Sequence, residues 1–156
     1  MGAPAPRFPR VRVAAVLLVD GQFVLVRHRL GSHAYHLLPG GGVEAGETLE
    51  AALLREVEEE TGLSVRIVRP ILISDTLDPA GARHLVNISF LVEREGGEIA
   101  RRPRDPRVEA VDLVAADALG TLDLRPPMAG ALLQAFENGF AGPARYLGAL
   151  WVEEAG

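Results

Sequence analysis

The chain has 156 residues, of which 48% are hydrophobic and 24% charged, and its formal net charge is -5. This length and apolar content suffice for one domain with a sizeable core. The absence of cysteine excludes disulfides and thiolate metal sites, and the acidic charge argues against an extended nucleic-acid partner, which needs a basic surface.

The sequence shows no membrane or secretion signal. No apolar run approaches the roughly 20 residues that span a bilayer, and residues 1–10 contain neither an apolar segment nor a cleavage pattern. We therefore expect a cytoplasmic protein with no membrane partner, built from a flexible segment over 1–10 and a single domain over 11–156.

The first predicted elements are strands. Val11 to Val19 is typical of a buried strand, residues 20–21 of a turn, and Phe23 to Arg29 of the hairpin partner. A short strand is predicted from His36 to Leu38. Pro39 to Gly42 then predict a loop whose glycine backbone can approach a ligand closely or lend a carbonyl to a metal.

A helix is predicted after this loop. Thr48 can cap its first turn, residues 49–60 are mostly good helix formers, and Gly62 can end it in the left-handed conformation. These signals together predict a helix over 48–61.

Three carboxylates share one face of this helix. At about 100° per residue, Glu56, Glu59 and Glu60 fall within an arc of about 100°, whereas Glu58 projects to nearly the opposite side. A solvated acidic surface is the ordinary explanation of such a run of charges.

The position of an apolar stripe favours a different interpretation. Leu49, Leu53 and Val57 form this stripe, and Glu56 and Glu60 lie on or beside it. Burial of the stripe would turn both carboxylates toward the interior, where like charges repel. A cation is therefore expected there, and hard carboxylate oxygens suit Mg²⁺ or Mn²⁺.

Strands and helices interleave along the rest of the chain. This order favours an α/β fold with a mixed sheet between helices. A polar turn is expected at residues 75–83 and a loop from Arg94 to Arg107. Further strands are predicted at Leu63 to Ile73, His84 to Val92, Val108 to Val114 and Tyr146 to Val152, and a helix at Ala129 to Asn138.

Residues 41–63 also fit one fixed pattern, G-x5-E-x7-R-E-U-x-E-E-x-G-U with U apolar. In this pattern the chain resembles the Nudix hydrolases, which cleave nucleoside diphosphates linked to another moiety. The resemblance implies an α/β/α sandwich and a metal-dependent pyrophosphohydrolase. The specified positions are filled by Gly41, Glu47, Arg55, Glu56, Val57, Glu59, Glu60, Gly62 and Leu63.

The resemblance implies roles for several residues of the motif. Glu56, Glu59 and Glu60 would hold Mg²⁺ or Mn²⁺ against the diphosphate, together with the carbonyl group of Gly40. The backbone at Gly41 would lie against a substrate of the nucleotide type.

Other roles concern the support of the loop and the proton acceptor. In the family, the pair that matches Arg55 and Glu47 braces the loop against the helix, although a surface ion pair is the alternative. The general base is either Glu59 or a later carboxylate such as Glu109. Many family members supply an additional carboxylate, as metal ligand or general base, from the region after the fourth strand. Asp105 and Glu109 are candidates for that carboxylate, with simple solvent exposure as the alternative.

Predictions about the substrate depend on fewer residues. Arg27 and Arg29 lie at a strand end where phosphate contact is plausible, with a solvated strand end as the alternative. Pro79 lies at a place that marks ADP-ribose pyrophosphatases within the family, although residues 78–81 are also ordinary turn chemistry. The first expectation is hydrolysis of ADP-ribose to AMP and ribose 5-phosphate. The alternatives are a surplus or damaged nucleoside triphosphate, or a non-catalytic nucleotide sensor.

A homodimer is also expected. Family members that act on ADP-ribose often complete the cleft with a second subunit. The apolar residues Tyr146, Leu147, Leu150 and Trp151 could cover such an interface, and packing within their own domain is the alternative.

Overall fold

The computed structural model describes residues 8–151. Most of the predicted flexible segment at 1–10 lies outside the described residues, and so does Val152 at the end of the last predicted strand. Arg10 already belongs to the first strand. The elements are β1 (Arg10–Val16), β2 (Leu18–Val19), β3 (Gln22–Leu30), β4 (His33–Leu37), β5 (Gly40–Gly42), α1 (Leu49–Thr61), β6 (Leu63–Leu77), β7 (His84–Gly97), β8 (Ala110–Val114), a 3₁₀ helix (Ala116–Thr121), α2 (Ala129–Glu137) and β9 (Arg145–Leu150).

Two sheets form the centre of the fold. The larger sheet has the strand order β5-β1-β7-β6-β9, in which β1 runs parallel to β7 and β6 runs parallel to β9. Its other neighbouring strands are antiparallel. In the smaller sheet β3 pairs antiparallel with β2, β4 and β8. The predicted mixed sheet is therefore confirmed.

Helices pack on both sides of the sheets. Val13 and Ala15 of β1 join an apolar cluster with Leu53 of α1, whereas Val16 joins a second cluster with Leu132 of α2. Neighbouring residues of β1 belong to different apolar clusters because successive side chains of a strand point to opposite faces of the sheet. The arrangement confirms the α/β/α sandwich.

The prediction of one strand from Val11 to Val19 is wrong. The chain leaves the larger sheet at Leu17, so only β2 forms a hairpin with β3. Apart from Arg12 the run is apolar, and no polar alternation marks the change of sheet. Asp20 (φ 51°) and Gly21 (φ 77°) form the predicted turn with positive φ at both positions, as a tight hairpin requires.

Strands β6 and β7 are longer than predicted. They stay paired from Leu63 opposite Gly97 to Leu77 opposite His84, so the predicted turn and the predicted loop each begin too early. The glycine loop is also partly wrong, because Gly40–Gly42 pairs with β1 as a strand. The 3₁₀ helix was not predicted, and the remaining elements are present with ends shifted by a few residues.

Helix α1 follows its prediction closely. Thr48 caps the first turn, since its Oγ1 accepts a hydrogen bond from the backbone N–H of Ala51 at 3.0 Å. Gly62 ends the helix in the left-handed conformation, with φ 78°. Among the described residues, no helix is long and apolar enough to cross a membrane.

Candidate active site

Three buried carboxylates converge at the C-terminal half of α1. Glu56 and Glu60 come from the helix and Asp105 from the loop between β7 and β8, and one oxygen of each lies within 4.8 Å of the others. Their exposed fractions are 6%, 2% and 9%. Burial of three acidic groups at this distance is costly without a compensating cation.

Glu60 is the most deeply buried of the three. The backbone N–H of Gly40 donates a hydrogen bond to Glu60 Oε1 at 2.6 Å. Burial raises the pKa of Glu60 to about 7, against the opposing effects of this hydrogen bond and of the Arg12 charge. Without a nearby divalent cation, this carboxyl group therefore keeps its proton to a higher pH than an ordinary glutamate.

Glu56 has one satisfied oxygen and one unsatisfied oxygen. Oε1 accepts a hydrogen bond from Arg55 Nη1 at 2.8 Å, whereas Oε2 is buried without a partner among the described residues. Burial raises the pKa of this carboxyl group as well. An unpartnered buried oxygen in a set of hard donors fits a divalent cation such as Mg²⁺.

The glycines of β5 leave room for this carboxylate cluster. A Cβ atom at Gly41 would lie 2.4 Å from the carboxyl carbon of Glu56, and one at Gly40 would lie 2.0 Å from the carbonyl oxygen of Val13. Any larger residue at either position would collide with the carboxylate or with the neighbouring strand. These two glycines therefore permit the close approach of strand and helix.

Arg55 holds the segment before α1 against the helix. Its Nε and Nη2 donate to the two carboxylate oxygens of Glu47, both at 2.8 Å, and Nη2 also donates to the carbonyl oxygen of Gly42 at 3.3 Å. The hydrogen bonds from Arg55 lower the pKa of Glu47 to about 2. Since Arg55 also bonds to Glu56, it links the segment directly to the carboxylate cluster.

Glu59 lies at the edge of the cluster. Its side chain is 38% exposed, and its Oε2 lies 3.6 Å from Arg55 Nη1. The structure therefore brings together Glu56 and Glu60 of the three predicted helix carboxylates and adds Asp105. Glu58 is 65% exposed and accepts a hydrogen bond from Arg104, which agrees with the predicted outward direction.

Asp105 is held by Arg107. Hydrogen bonds from the Arg107 side chain and backbone lower the pKa of the Asp105 carboxyl group, so that this member of the cluster stays ionised. Asp105 was one of two candidates for an additional carboxylate, as metal ligand or general base, and its side chain lies in the cluster. Sequence spacing could not place it, because the contact joins a loop to a helix far away along the chain.

A cleft of about 420 Å³ opens beside the carboxylates. Gly40–Gly42 and Glu60 form part of its wall. Its lining is otherwise rich in cationic and aromatic groups, a composition suited to a polyphosphate with a ring-bearing end. These groups are Arg10, Arg12, Arg83, Arg107, His28, His84 and Tyr35.

The predicted substrate arginines contact the predicted base. Arg29 donates to both oxygens of Glu109, at 2.9 Å from Nε and 3.2 Å from Nη2. Arg27 Nε lies 3.4 Å from Glu109. Arg29 and Glu109 line a neighbouring cavity of about 310 Å³, which shares His28, Tyr35 and Arg107 with the main cleft.

Pro79 lies in the exposed turn between β6 and β7. Asp78 shapes this turn, because its Oδ1 accepts a hydrogen bond from the N–H of Ala80 at 2.8 Å. The segment that lines the cleft follows this turn, at residues 82–85. Pro79 is thus near the cleft along the chain, on a turn whose geometry Asp78 also supports.

The apolar C-terminal residues divide between core and surface. Leu147 and Leu150 pack against the apolar cluster that includes Leu132 of α2. Tyr146 is 59% exposed, and its hydroxyl group donates a hydrogen bond to Asp75. Part of the predicted interface thus packs within its own domain, and the homodimer stays a prediction.

Buried carboxylates beside an arginine-lined cleft suit the hydrolysis of phosphoric anhydride bonds, in which cations offset the charge of the phosphates. Comparison with known proteins identifies the family of such hydrolases. The sequence matches the NUDIX domain family over residues 8–136. The chain belongs to the Nudix family and is a Nudix pyrophosphohydrolase.

Individual relatives are similar at moderate identity. An ADP-ribose pyrophosphatase of Methanocaldococcus jannaschii is 34% identical over 108 residues, which cover 67% of this chain and 63% of that protein. Phosphatase NudJ of Escherichia coli K12 is 30% identical over 142 residues, covering 90% of this chain and 91% of that protein. The fold is similar to that of a NUDIX hydrolase from Nitrosomonas europaea, with a TM-score of 0.75, 24% identity and coverage of 87% and 93%.

Proposed function

We propose that this hydrolase cleaves ADP-ribose to AMP and ribose 5-phosphate in a reaction that uses Mg²⁺ or Mn²⁺. The observation that carries the proposal is the contact between the buried carboxylate cluster and the arginine-lined cleft along Gly40–Gly42. A diphosphate bound there would lie between the metal ion held by the carboxylates and the arginine side chains of the cleft. Members of the family generally use divalent metals, and the M. jannaschii relative is an ADP-ribose pyrophosphatase.

Glu56, Glu60 and Asp105 would hold the metal, with Glu59 and the Gly40 carbonyl group as further ligands. Bound divalent ions would offset the charge of the diphosphate and make a water molecule more acidic. The unpartnered Oε2 of Glu56 would gain a partner in this state. Arg55 would keep Glu56 in place through Oε1.

Glu59 is the better placed of the two predicted proton acceptors. Its carboxylate lies at the rim of the cluster and has one long contact, 3.6 Å to Arg55. Glu109 has both oxygens in hydrogen bonds with Arg29, which lower its pKa and its basicity. In this proposal Glu59 takes the proton of the attacking water, while Arg29 and Arg27 are held by Glu109 beside the cleft.

The two ends of ADP-ribose need different contacts. His28 and Tyr35 lie opposite each other on β3 and β4, with ring centroids 5.6 Å apart, and both line the cleft. The guanidinium carbon of Arg125 lies 4.3 Å from the centroid of Tyr35 and supports this ring. An aromatic surface of this kind can contact a nucleobase, and residues 82–85 after the Pro79 turn form another part of the lining.

A substrate screen tests the proposal directly. The purified enzyme is supplied with ADP-ribose, dinucleoside polyphosphates, nucleotide sugars and nucleoside triphosphates, each with Mg²⁺ or Mn²⁺, and every product is identified by mass. The expected products from ADP-ribose are AMP and ribose 5-phosphate. If kcat/KM for a triphosphate exceeds that for ADP-ribose by about tenfold, equal to about 1.4 kcal/mol, the nucleotide-sanitising alternative replaces this proposal.

The homodimer is proposed because Tyr146 is exposed on β9, one of the two edge strands of the larger sheet. Light scattering during size-exclusion chromatography measures the mass in solution. A monomer at all enzyme concentrations used in the kinetic assays would contradict the dimer without affecting the proposed chemistry.

A further inference from the structure

Arg107 makes a three-point contact with one member of the carboxylate cluster. Its backbone N–H and its Nε donate to Asp105 Oδ1, at 2.9 Å and 3.1 Å, and its Nη2 donates to Oδ2 at 2.7 Å. Both oxygens of Asp105 are therefore engaged. These are the same oxygens that a cation held by the cluster would need.

The two partners differ strongly in burial. The side chain of Asp105 is 8% exposed, whereas that of Arg107 is 70% exposed. A guanidinium group that is mostly in water loses little hydration energy when it changes its partner, whereas the buried carboxylate always needs a cation beside it. Arg107 can therefore leave this ion pair at little cost, whereas Asp105 needs another cation in its place.

Arg107 also acts on the other two carboxylates. Its charge interacts with Glu56 and Glu60 in addition to Asp105. It thus supplies positive charge to the same three groups that would hold a divalent ion. A cation at the cluster and the guanidinium group of Arg107 are in this sense alternatives.

The contact of Arg55 with the cluster is of another kind. Of the three clustered carboxylates Arg55 contacts one, at Oε1 of Glu56, and its Nη2 is held by Glu47 and Gly42. Its side chain is 27% exposed. Arg55 can therefore stay in place when a cation binds to the free Oε2 of Glu56, whereas the side chain of Arg107 competes for Asp105.

Arg107 has space to move toward a substrate. It lines the main cleft, the cavity next to Arg29 and Glu109, and a further cavity next to Glu59. Two of these spaces reach the cluster, the main cleft at Glu60 and the cavity next to Glu59 at Asp105. The planar fork that now holds a carboxylate can equally hold two oxygens of a phosphate.

On the basis of the proposed metal-dependent hydrolysis, we infer that Arg107 is an exchangeable cation. Its side chain pairs with Asp105 in the metal-free enzyme, is displaced when a divalent ion binds the cluster, and then binds a phosphate of the substrate. Metal loading thereby prepares the phosphate site. Arg107 would oppose metal binding in the free enzyme and favour substrate binding in the loaded enzyme.

The variant Arg107→Gln separates this role from a structural one. Glutamine keeps the backbone N–H that bonds to Asp105 Oδ1, so the carboxylate retains one of its positioning contacts. If the side chain only positions Asp105, its loss weakens metal binding. If it competes with the metal, its loss strengthens metal binding.

The first measurement is the affinity of substrate-free enzyme for Mn²⁺, followed by electron paramagnetic resonance of the free ion. For Arg107→Gln the dissociation constant is expected to fall by about threefold or more, the scale of one partly exposed ion pair. Arg104→Gln is the matched control, because Arg104 lies on the same loop and pairs with Glu58, which points away from the cluster. Its Mn²⁺ affinity should equal that of the parent.

The second measurement is the binding of a non-hydrolysable methylene analogue of ADP-ribose by calorimetry at saturating Mg²⁺. Arg107→Gln should weaken binding by about tenfold, the effect of losing one charged hydrogen-bond donor to a phosphate. Arg107→Lys keeps the charge without the fork, and an intermediate value is expected.

Unchanged or weaker Mn²⁺ binding by a folded Arg107→Gln variant overturns the exchange. Tighter Mn²⁺ binding with unchanged analogue affinity overturns the transfer to substrate. The Mn²⁺ measurement needs no substrate, so it stands even if the substrate screen excludes ADP-ribose. In that case the analogue is replaced by one of the substrate that the screen identifies.

Discussion

Replacement of Glu60 by glutamine should stabilise the metal-free enzyme at alkaline pH. Burial raises the pKa of Glu60 from its ordinary value of 4.5 to about 7. Below pH 4.5 the group is protonated in both the folded and the unfolded chain, and its burial costs no folding stability. Between these values only the folded chain keeps the proton, so stability falls as the pH rises. Above pH 7 the full penalty is present, about 3 kcal/mol at about 1.4 kcal/mol per pKa unit.

The neutral amide of Glu60→Gln removes this penalty, and its oxygen can still accept the hydrogen bond from Gly40. In chelator, urea unfolding should therefore give a variant more stable than the parent by up to about 3 kcal/mol at pH 8, and of similar stability at pH 4.5. Saturating Mg²⁺ should reverse the order at pH 8, because only the parent has the full set of ligands.

Glu58→Gln is the matched control, because Glu58 is 65% exposed on the same helix. Its stability in chelator should follow that of the parent at both pH values. Identical pH dependence of unfolding for the parent and Glu60→Gln would refute the assignment of the penalty to this buried carboxyl group.

Three further predictions concern the neighbouring residues. Glu59→Gln should lower kcat by about a hundredfold or more, the scale of a lost base or metal ligand, while Glu58→Gln stays within a few-fold; equal losses in steady-state assays would contradict the helical-face argument. Thermal stability should rise across a millimolar Mg²⁺ titration, and Glu56→Gln should blunt the rise, as scanning fluorimetry can measure; a flat parent curve would argue against a preformed site. Gly41→Ala should weaken Mn²⁺ binding, because its Cβ would lie 2.4 Å from the Glu56 carboxyl carbon, whereas Gly130→Ala in α2, with no atom within 4 Å of the new Cβ, should leave Mn²⁺ affinity unchanged.

The sequence predicted the parts of the site that depend on local geometry. Helix α1 is specified by Thr48, Gly62 and the apolar stripe, and its period alone places Glu56 and Glu60 inside and Glu58 outside. These signals lie within a few turns of one helix, where spacing converts directly into direction. The family motif added the brace between Arg55 and Glu47, a contact within the same segment.

The parts that were left open or missed depend on distant contacts. Asp105 joins the cluster through a loop that has no repeating pattern, so no period could place it beside Glu60. The change of sheet at Leu17 occurs inside an apolar run whose neighbours are buried on both faces, and a run of this kind lacks the alternation that marks one sheet. The strand at Gly40–Gly42 was hidden because glycine is a poor strand former, and only its pairing with β1 holds it extended.

The pairing of β5 with β1 has a consequence for how the enzyme meets its ligands. Gly40, Gly41 and Gly42 lie opposite Ala14, Val13 and Arg12. This wall of the cleft is therefore itself a strand of the larger sheet. To deform this wall, the chain would have to break hydrogen bonds beside the innermost apolar residues. The backbone that meets the diphosphate is therefore preorganised, and adaptation to different ligands falls to the side chains of the opposite wall.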